Sequence, residues 1–257
     1  MTYDRGISRR MHAGISRRTF LGSAAALMAL AEMTPVLGQE STPASQAEGD
    51  ADALVVLEAA GKAVLALDTF TFALTTINGS STIFPGVELV SVEGAVRRPI
   101  DLAATLTVKA IVQTMEISAV AVDGDFYIQD PLSGGKWQEV GSASEIANMV
   151  NPDWIIVAAV RLIKDAKITS DADDLTLVEG YVDFSESLSN LEGADLSQLE
   201  EYLADDPIDV AFWINADNLI ERVELYGPIF ASESADVEKR IELTDFNEPV
   251  DIERPPV

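Results

Sequence analysis

From residue 101 to 109 apolar and polar side chains alternate: Leu102, Ala104, Leu106 and Val108 are set against Asp101, Thr105, Thr107 and Lys109. A period of two places one set indoors and the other in water, which is the pattern of a half-buried strand. It recurs in Ile208, Val210, Phe212 and Ile214, and again in Ile241 and Leu243 against Arg240 and Glu242. Repetition of this kind commits the chain to an antiparallel sheet with one solvated face.

Turn residues join the strands. Asp123-Gly124 separates the run 117–122 from Phe126-Tyr127-Ile128, and Asp-Gly between two β-rich runs predicts a tight hairpin because both central residues accept positive φ. The aspartates of this stretch therefore read as turn residues, without the spaced oxygen ligands of a calcium loop. A second turn is expected at Pro131-Leu132-Ser133-Gly134-Gly135, after which Trp137 returns to apolar surroundings.

Helical spacing is expected in three places. Ala51 to Leu67 sets Leu54, Leu57, Val64 and Leu65 apart from Glu58 and Lys62, as in an amphipathic helix. Ser142 to Met149 and Trp154 to Ile163 form a helix pair, the second opened by Asn151-Pro152-Asp153, where Asn151 caps and Pro152 takes the first helical position. Asp195 to Ala204 is a further short helix. The run 154–160 is apolar all round yet too short to span a bilayer, so it is either a plain core helix or one that faces something apolar outside the sequence.

Ser16-Arg17-Arg18-Thr19-Phe20-Leu21 carries a twin-arginine pattern, followed by a mostly apolar run to Ala31. This is the layout of a Tat-type export signal over residues 1–38, cut near Gly38–Gln39, with an uncleaved anchor as the alternative. Residues 39–50 form a polar linker and residues 51–257 one domain. The leader holds five arginines and two acidic residues, so its removal takes the formal charge from −26 to −29. A surface that acidic repels phosphodiester backbones, which makes nucleic acid a poor partner. The chain has no cysteine, and its one histidine, His12, lies in the leader. Thiolate, imidazole and triad chemistry are thereby unavailable to the exported domain, and no metal or cofactor is expected.

Gly94-Ala95-Val96 before Arg98-Pro99, residues 126–131 with Gly135-Lys136-Trp137, Asn151-Pro152-Asp153, Phe212-Trp213-Ile214-Asn215 with Arg222-Val223, and Leu243-Thr244-Asp245-Phe246 with Pro249-Val250 follow one another in a recognisable order. In this order the chain resembles the LppX/LprAFG envelope lipoproteins of the LolA/LolB-like superfamily over about residues 51–256. It departs from their pattern in lacking a lipobox cysteine. The resemblance implies an α+β fold: a strongly curved antiparallel sheet, a half-barrel, with helices across the concave face and an apolar cavity between them. It also implies a non-enzymatic carrier of acylated lipids or glycolipids in the cell envelope, with a membrane or transporter as a further partner. Cavity candidates are Leu102, Leu106, Val108, Ile117, Val210 and Phe212 from strands, and Trp154, Ile155 and Val160 from the helix. Ala103, Ala104, Ala119 and Ala121 would leave room for a chain. The alternative is an envelope interaction or sensor module on the same fold with a filled core, using aromatics such as Phe84, Tyr127 and Trp137. A third reading, acid–base catalysis by Asp171, Asp173 and Asp174 or by Glu200 and Glu201, lacks the apolar surroundings that raise a carboxyl pKa.

Overall fold

The computed structural model describes residues 49–84, 86–99, 101–110, 113–129, 131, 134–142, 153–172, 174–183 and 204–257. The leader, the expected helices at 142–149 and 195–204, and the expected cap at 151–152 lie outside the described residues or almost entirely so. Among the described residues twelve strands form one sheet: β1 (Thr69–Asn78), β2 (Ser81–Phe84), β3 (Val87–Arg97), β4 (Asp101–Ala110), β5 (Gln113–Val122), β6 (Asp125–Gln129), β7 (Trp137–Ser142), β8 (Lys164–Ala172), β9 (Leu175–Val182), β10 (Ile208–Asn215), β11 (Ile220–Tyr226) and β12 (Glu238–Thr244). Their order is β7-β6-β5-β4-β3-β1-β12-β11-β10-β9-β8, with β2 beside β3. The strand pairs are antiparallel, and the sheet is open between β7 and β8. The chain thus walks outward from β1 to β7, crosses to the far edge, and walks back from β8 until β12 closes against β1.

The expected hairpin is present, with φ of 54° at Asp123 and 88° at Gly124. It belongs to one end of the sheet, here called the lower end, where β1 begins and β3 finishes. The upper end is where β1 finishes and β3 begins.

Helix α1 (Ala51–Leu65) stops two residues short of the expected boundary. Its buried stripe is Ala53, Leu57, Ala60, Gly61 and Val64, whereas Leu54 and Leu65 are only half-buried. Small residues face inward because a second helix lies close: a Cβ on Gly61 would stand 3.2 Å from Cγ1 of Val160. Val160 belongs to α2 (Asp153–Leu162), whose Ile156, Ala159, Val160 and Leu162 join α1 and one face of the sheet in a single hydrophobic core. We call that face the inner face. Gly49 and Asp50, expected in the linker, are tied to β8, with the Asp50 amide donating to the Ala166 carbonyl at 2.9 Å.

Two polar devices fix the ends of these elements. Arg98 donates from Nε to the Leu67 carbonyl at 2.7 Å and from Nη2 to the Val64 carbonyl at 3.0 Å, and its guanidinium lies 5.7 Å from the Phe70 ring. It adds charged donors to the Val64 carbonyl, which also accepts from the Leu67 amide at 3.3 Å, and to the Leu67 carbonyl just beyond α1. At the upper end the β11–β12 loop is clasped to the β1–β2 connection. The buried Glu233 carboxylate pairs with Lys239, accepts from Ser81 Oγ at 2.6 Å and accepts from the Ile229 amide at 2.9 Å. Ser80 and Ser234 add a reciprocal pair, the Ser234 amide to the Ser80 carbonyl and the Ser80 amide to Ser234 Oγ. Burial pulls the Lys239 ammonium below the ordinary lysine range, opposed by the Glu233 charge beside it.

Two outcomes are expected in urea unfolding. Arg98→Ala lowers stability by about 1–3 kcal/mol, since it strips charge-assisted hydrogen bonds from buried carbonyls. Glu233→Ala costs about 3–5 kcal/mol, because it leaves a buried ammonium and two backbone amides without an acceptor. Lys239→Met costs less, because the carboxylate keeps Ser81 and the amides; equal losses for the two variants would show that the pair acts only through its charge.

Candidate functional site

Cross-strand register shows which side chains share the inner face. Val92 stands opposite both Leu74 and Leu106, Leu106 opposite Ile117, Val108 opposite Leu89 and Met115, and Ala119 opposite Ile128. Continuing toward the lower end, Gly94, Ala104 and Ala119 form one row, and Val96, Leu102, Ala121 and Phe126 the next. From β3 to β6 the buried and half-buried inward positions carry no charged or hydrogen-bonding side chain; the exposed Gln113, opposite Ala110, marks the upper rim.

Burial changes along the face. At the lower end Phe70, Phe72, Val96, Leu102, Ala119, Ala121 and Phe126 are all buried. Toward the upper end Leu74, Leu89, Leu106, Met115, Ile117 and Ile128 are half-buried, although Val92 and Val108 remain covered. The structure therefore brings the strand candidates onto one apolar surface but in two states. Leu102, Val108, Val210 and Phe212 are enclosed, while Leu106 and Ile117 retain accessible area. Val160 is buried where α2 meets α1. Trp154 and Ile155 lie in the first turn of α2, and their side chains are outside the described set.

The row of small residues is real but differs from expectation at one position. Ala103 faces the other side of the sheet, where it packs with Val122, Tyr127 and Ile252; alternation along β4 requires this once Leu102 and Ala104 point inward. At Gly94 the missing side chain makes space for a ring, since a Cβ there would come within 2.9 Å of Phe72 and 2.5 Å of the Ala103 carbonyl. Phe72 thus occupies the hollow that the Gly94-Ala104-Ala119 row creates. Leu74, Leu89, Met115, Ile128 and Phe72 were missed by reading strands singly, because only pairing aligns them with Leu106 and Ile117.

The outer face is divided. Over β4 to β7 the C-terminal segment covers apolar side chains: Ile252 and Val250 pack with Tyr127 and Trp137, and Arg254 bonds Asp125 at 2.7 Å and lies 5.6 Å from the Tyr127 ring. Tyr127 and Trp137 are thereby packing aromatics, as expected; the Phe84 side chain lies outside the described set. Desolvation raises the Tyr127 pKa, with Arg254 opposing the shift. Over β1, β12, β11 and β10 a shallow groove of about 710 Å³ runs past Thr71, Ala73, Arg222 and Trp213. Arg222 stacks 5.2 Å from the Trp213 ring centre, and its Nε is buried without a hydrogen-bond partner. Its lining carries four carboxylates, those of Glu93, Glu221, Glu242 and Asp245.

Of the carboxylates considered for catalysis, Asp173, Glu200 and Glu201 lie outside the described residues. Asp174 occupies the β8–β9 turn with φ of 62°, a position set by turn geometry. Among the described residues there is no cluster of three or more His, Cys, Asp or Glu side chains suited to a metal, and no helix long and apolar enough to cross a membrane.

No curated protein matches the chain. Among solved structures, LprF from Mycobacterium bovis superposes with a TM-score of 0.55 at 18% identity, over 81% of this chain and 99% of its own. The Mycobacterium tuberculosis lipoprotein LppX gives a TM-score of 0.52 at 16% identity, over 80% of this chain and all of its own. At these identities the two structures establish the fold. The sequence model described as LppX_LprAFG lipoprotein matches residues 50–252. An open antiparallel sheet with the helices on one face, and a family match spanning that whole unit, lead to one conclusion: the chain belongs to the LppX_LprAFG lipoprotein family.

Proposed function

We propose that this protein binds an acylated lipid or glycolipid against the inner face of its sheet and carries it, without catalysis, in the cell envelope. The observation that carries this reading is the gradient on that face. A continuous apolar surface is sealed at the lower end, but at the upper end Leu74, Leu89, Leu106, Met115 and Ile117 are only half-covered. Single exposed aliphatics are ordinary on a protein surface, whereas contiguous apolar area without polar interruption marks a binding surface.

Energetics set what such a site must do. At about 0.8 kcal/mol per buried CH₂, a chain of about sixteen carbons needs on the order of 12 kcal/mol of apolar enclosure to leave a membrane. A surface groove cannot provide this, so the ligand must run between sheet and helices. Phe72 above Gly94 and the alanines at 104 and 119 supply the place where an aromatic ring can yield to an acyl chain. In this reading Leu102, Leu106, Val108, Ile117, Val210 and Phe212 form the sheet wall, with Val160 on the helix opposite. In this reading a twin-arginine signal over residues 1–38 carries the protein out of the cytoplasm.

Native mass spectrometry of the protein purified from its own envelope, followed by solvent extraction, tests the reading. An acylated species at near one-to-one ratio is expected. Leu106→Gln with Ile117→Gln, at half-buried positions, should lower occupancy by about tenfold or more through loss of apolar contact. A protein that is empty as isolated, and whose unfolding midpoint is unmoved by added phospholipid or glycolipid, would instead support the interaction module with a filled core.

A further inference from the structure

Cover on the inner face changes at one row of side chains. Above it Leu74, Leu106 and Ile117 are half-buried, as are Leu89 and Met115 in the next row toward the rim at Gln113. Below it Phe70, Val96, Leu102, Ala121 and Phe126 are each no more than 2% exposed. The row between holds Phe72, Gly94, Ala104 and Ala119. Three of these four are too small to close the face, so one side chain does it.

Phe72 spans the gap. It stands directly opposite Gly94 in the β1–β3 pair, and its ring carbons Cε1 and Cζ would lie 2.9 Å from a Cβ built there. The ring therefore leans off β1 and across β3, in the direction of Ala104, and is only 4% exposed. Glycine on β3 gives the ring its place, as close approach in a sheet requires. The half-covered stretch above ends where this ring begins.

We propose that Phe72 sets the acyl-chain length of the lipid site: its ring is the floor on which the end of the chain rests, and it fixes the longest chain that binds without rearrangement. This rests on the lipid-carrier reading and narrows its cargo. Distance supplies the number. From Gln113 at the rim to Ala119 beside the ring is six residues of β5, about 20 Å at about 3.4 Å per residue. An extended chain advances about 1.3 Å per methylene, the projection of a carbon–carbon bond of about 1.5 Å, so about sixteen carbons fill this stretch. The polar end then stays at the rim, where Gln113 meets water. A longer chain has to push the ring aside, and the row below offers no room, since Phe70, Leu102 and Phe126 are packed shut.

A mixture of saturated monoacylglycerols, from ten to twenty-two carbons, added to the purified protein and read by native mass spectrometry reports each length by its mass. Affinity should rise about fourfold per carbon up to about sixteen carbons and then level or fall. Phe72→Ala should move that break to longer chains by one row, two residues of strand or about five methylenes. Phe72→Leu should move it the same way by less, and carries the test should the alanine variant not fold. Ile117→Phe, which builds a ring at a half-buried position one row nearer the rim, should move the break to shorter chains. If native lipid resists exchange, the chains extracted from wild type and from the Phe72 variants should show the same shift. Affinity that climbs through every length without a break, or a break that both Phe72 variants leave in place, would overturn the length-setting role and leave the carrier reading standing. A protein that is empty as purified and takes up no chain of any length would overturn both.

Discussion

The pairing of β1 with β12 is the contact on which the architecture depends. It joins strands whose partners are separated by about the length of the domain, Thr71 to Thr244 and Leu74 to Ile241. Without it the chain would be two separate meanders, β1 to β7 and β8 to β12, each with an apolar face and no common core. Closing so long a loop is costly in chain entropy, and several bonds at the lower end reinforce it. The Asn247 amide donates to the Thr69 carbonyl at 2.8 Å, the Asp68 amide to Asn247 Oδ1 at 2.9 Å, and Thr69 Oγ1 to the Glu248 carbonyl at 2.7 Å. Topology of this kind, built on non-local pairs, folds slowly compared with helical domains.

Once the two meanders share a sheet, the helices have one surface to cover. Helix α1 lies against β8 and α2, and its C-terminus is held by Arg98 from the end of β3. It therefore ties the far edge of the sheet to its middle. The inner face is closed where α1 and α2 meet it, and its apolar character extends past that point over β3 to β6. The same sheet thus provides a fixed core and a half-covered extension of it, made from the same alternating strands.

Much of this is legible in the residues. The alternation at 102–108 and 208–214 gives both strands and their buried faces, since period two leaves no choice once one side must be dry. Asp123-Gly124 gives the hairpin because few other pairs tolerate positive φ twice in succession. Tyr127 and Trp137 read correctly as packing residues, although their cover is the distant C-terminal segment. The first helix is legible as a helix, but its buried stripe is not: Leu54 and Leu65 look apolar enough for the core, and Ala60 and Gly61 are chosen instead because α2 lies against them. A single-sequence reading ranks side chains by hydrophobicity, while close helix contact selects them by size. Ala103 illustrates a related failure, as composition marks it as small but only parity with Leu102 shows that it faces outward.

Sequence by itself determined the strand-rich antiparallel character, the turn at Asp123-Gly124, the lack of any cysteine or histidine in residues 39–257, and the family, because each is written in local spacing or in the residue types present. Tertiary structure alone decided which strands become neighbours, how Gly94, Ala104 and Ala119 align into a row that admits the Phe72 ring, how Glu233 comes to be buried against Lys239 and Ser81, and where the inner face stays half-covered. Apart from the Glu233–Lys239 pair itself, these depend on partners from ten to more than a hundred residues apart, such as Ser81 and Glu233, and local patterning cannot encode a partner that distant; strand register places it.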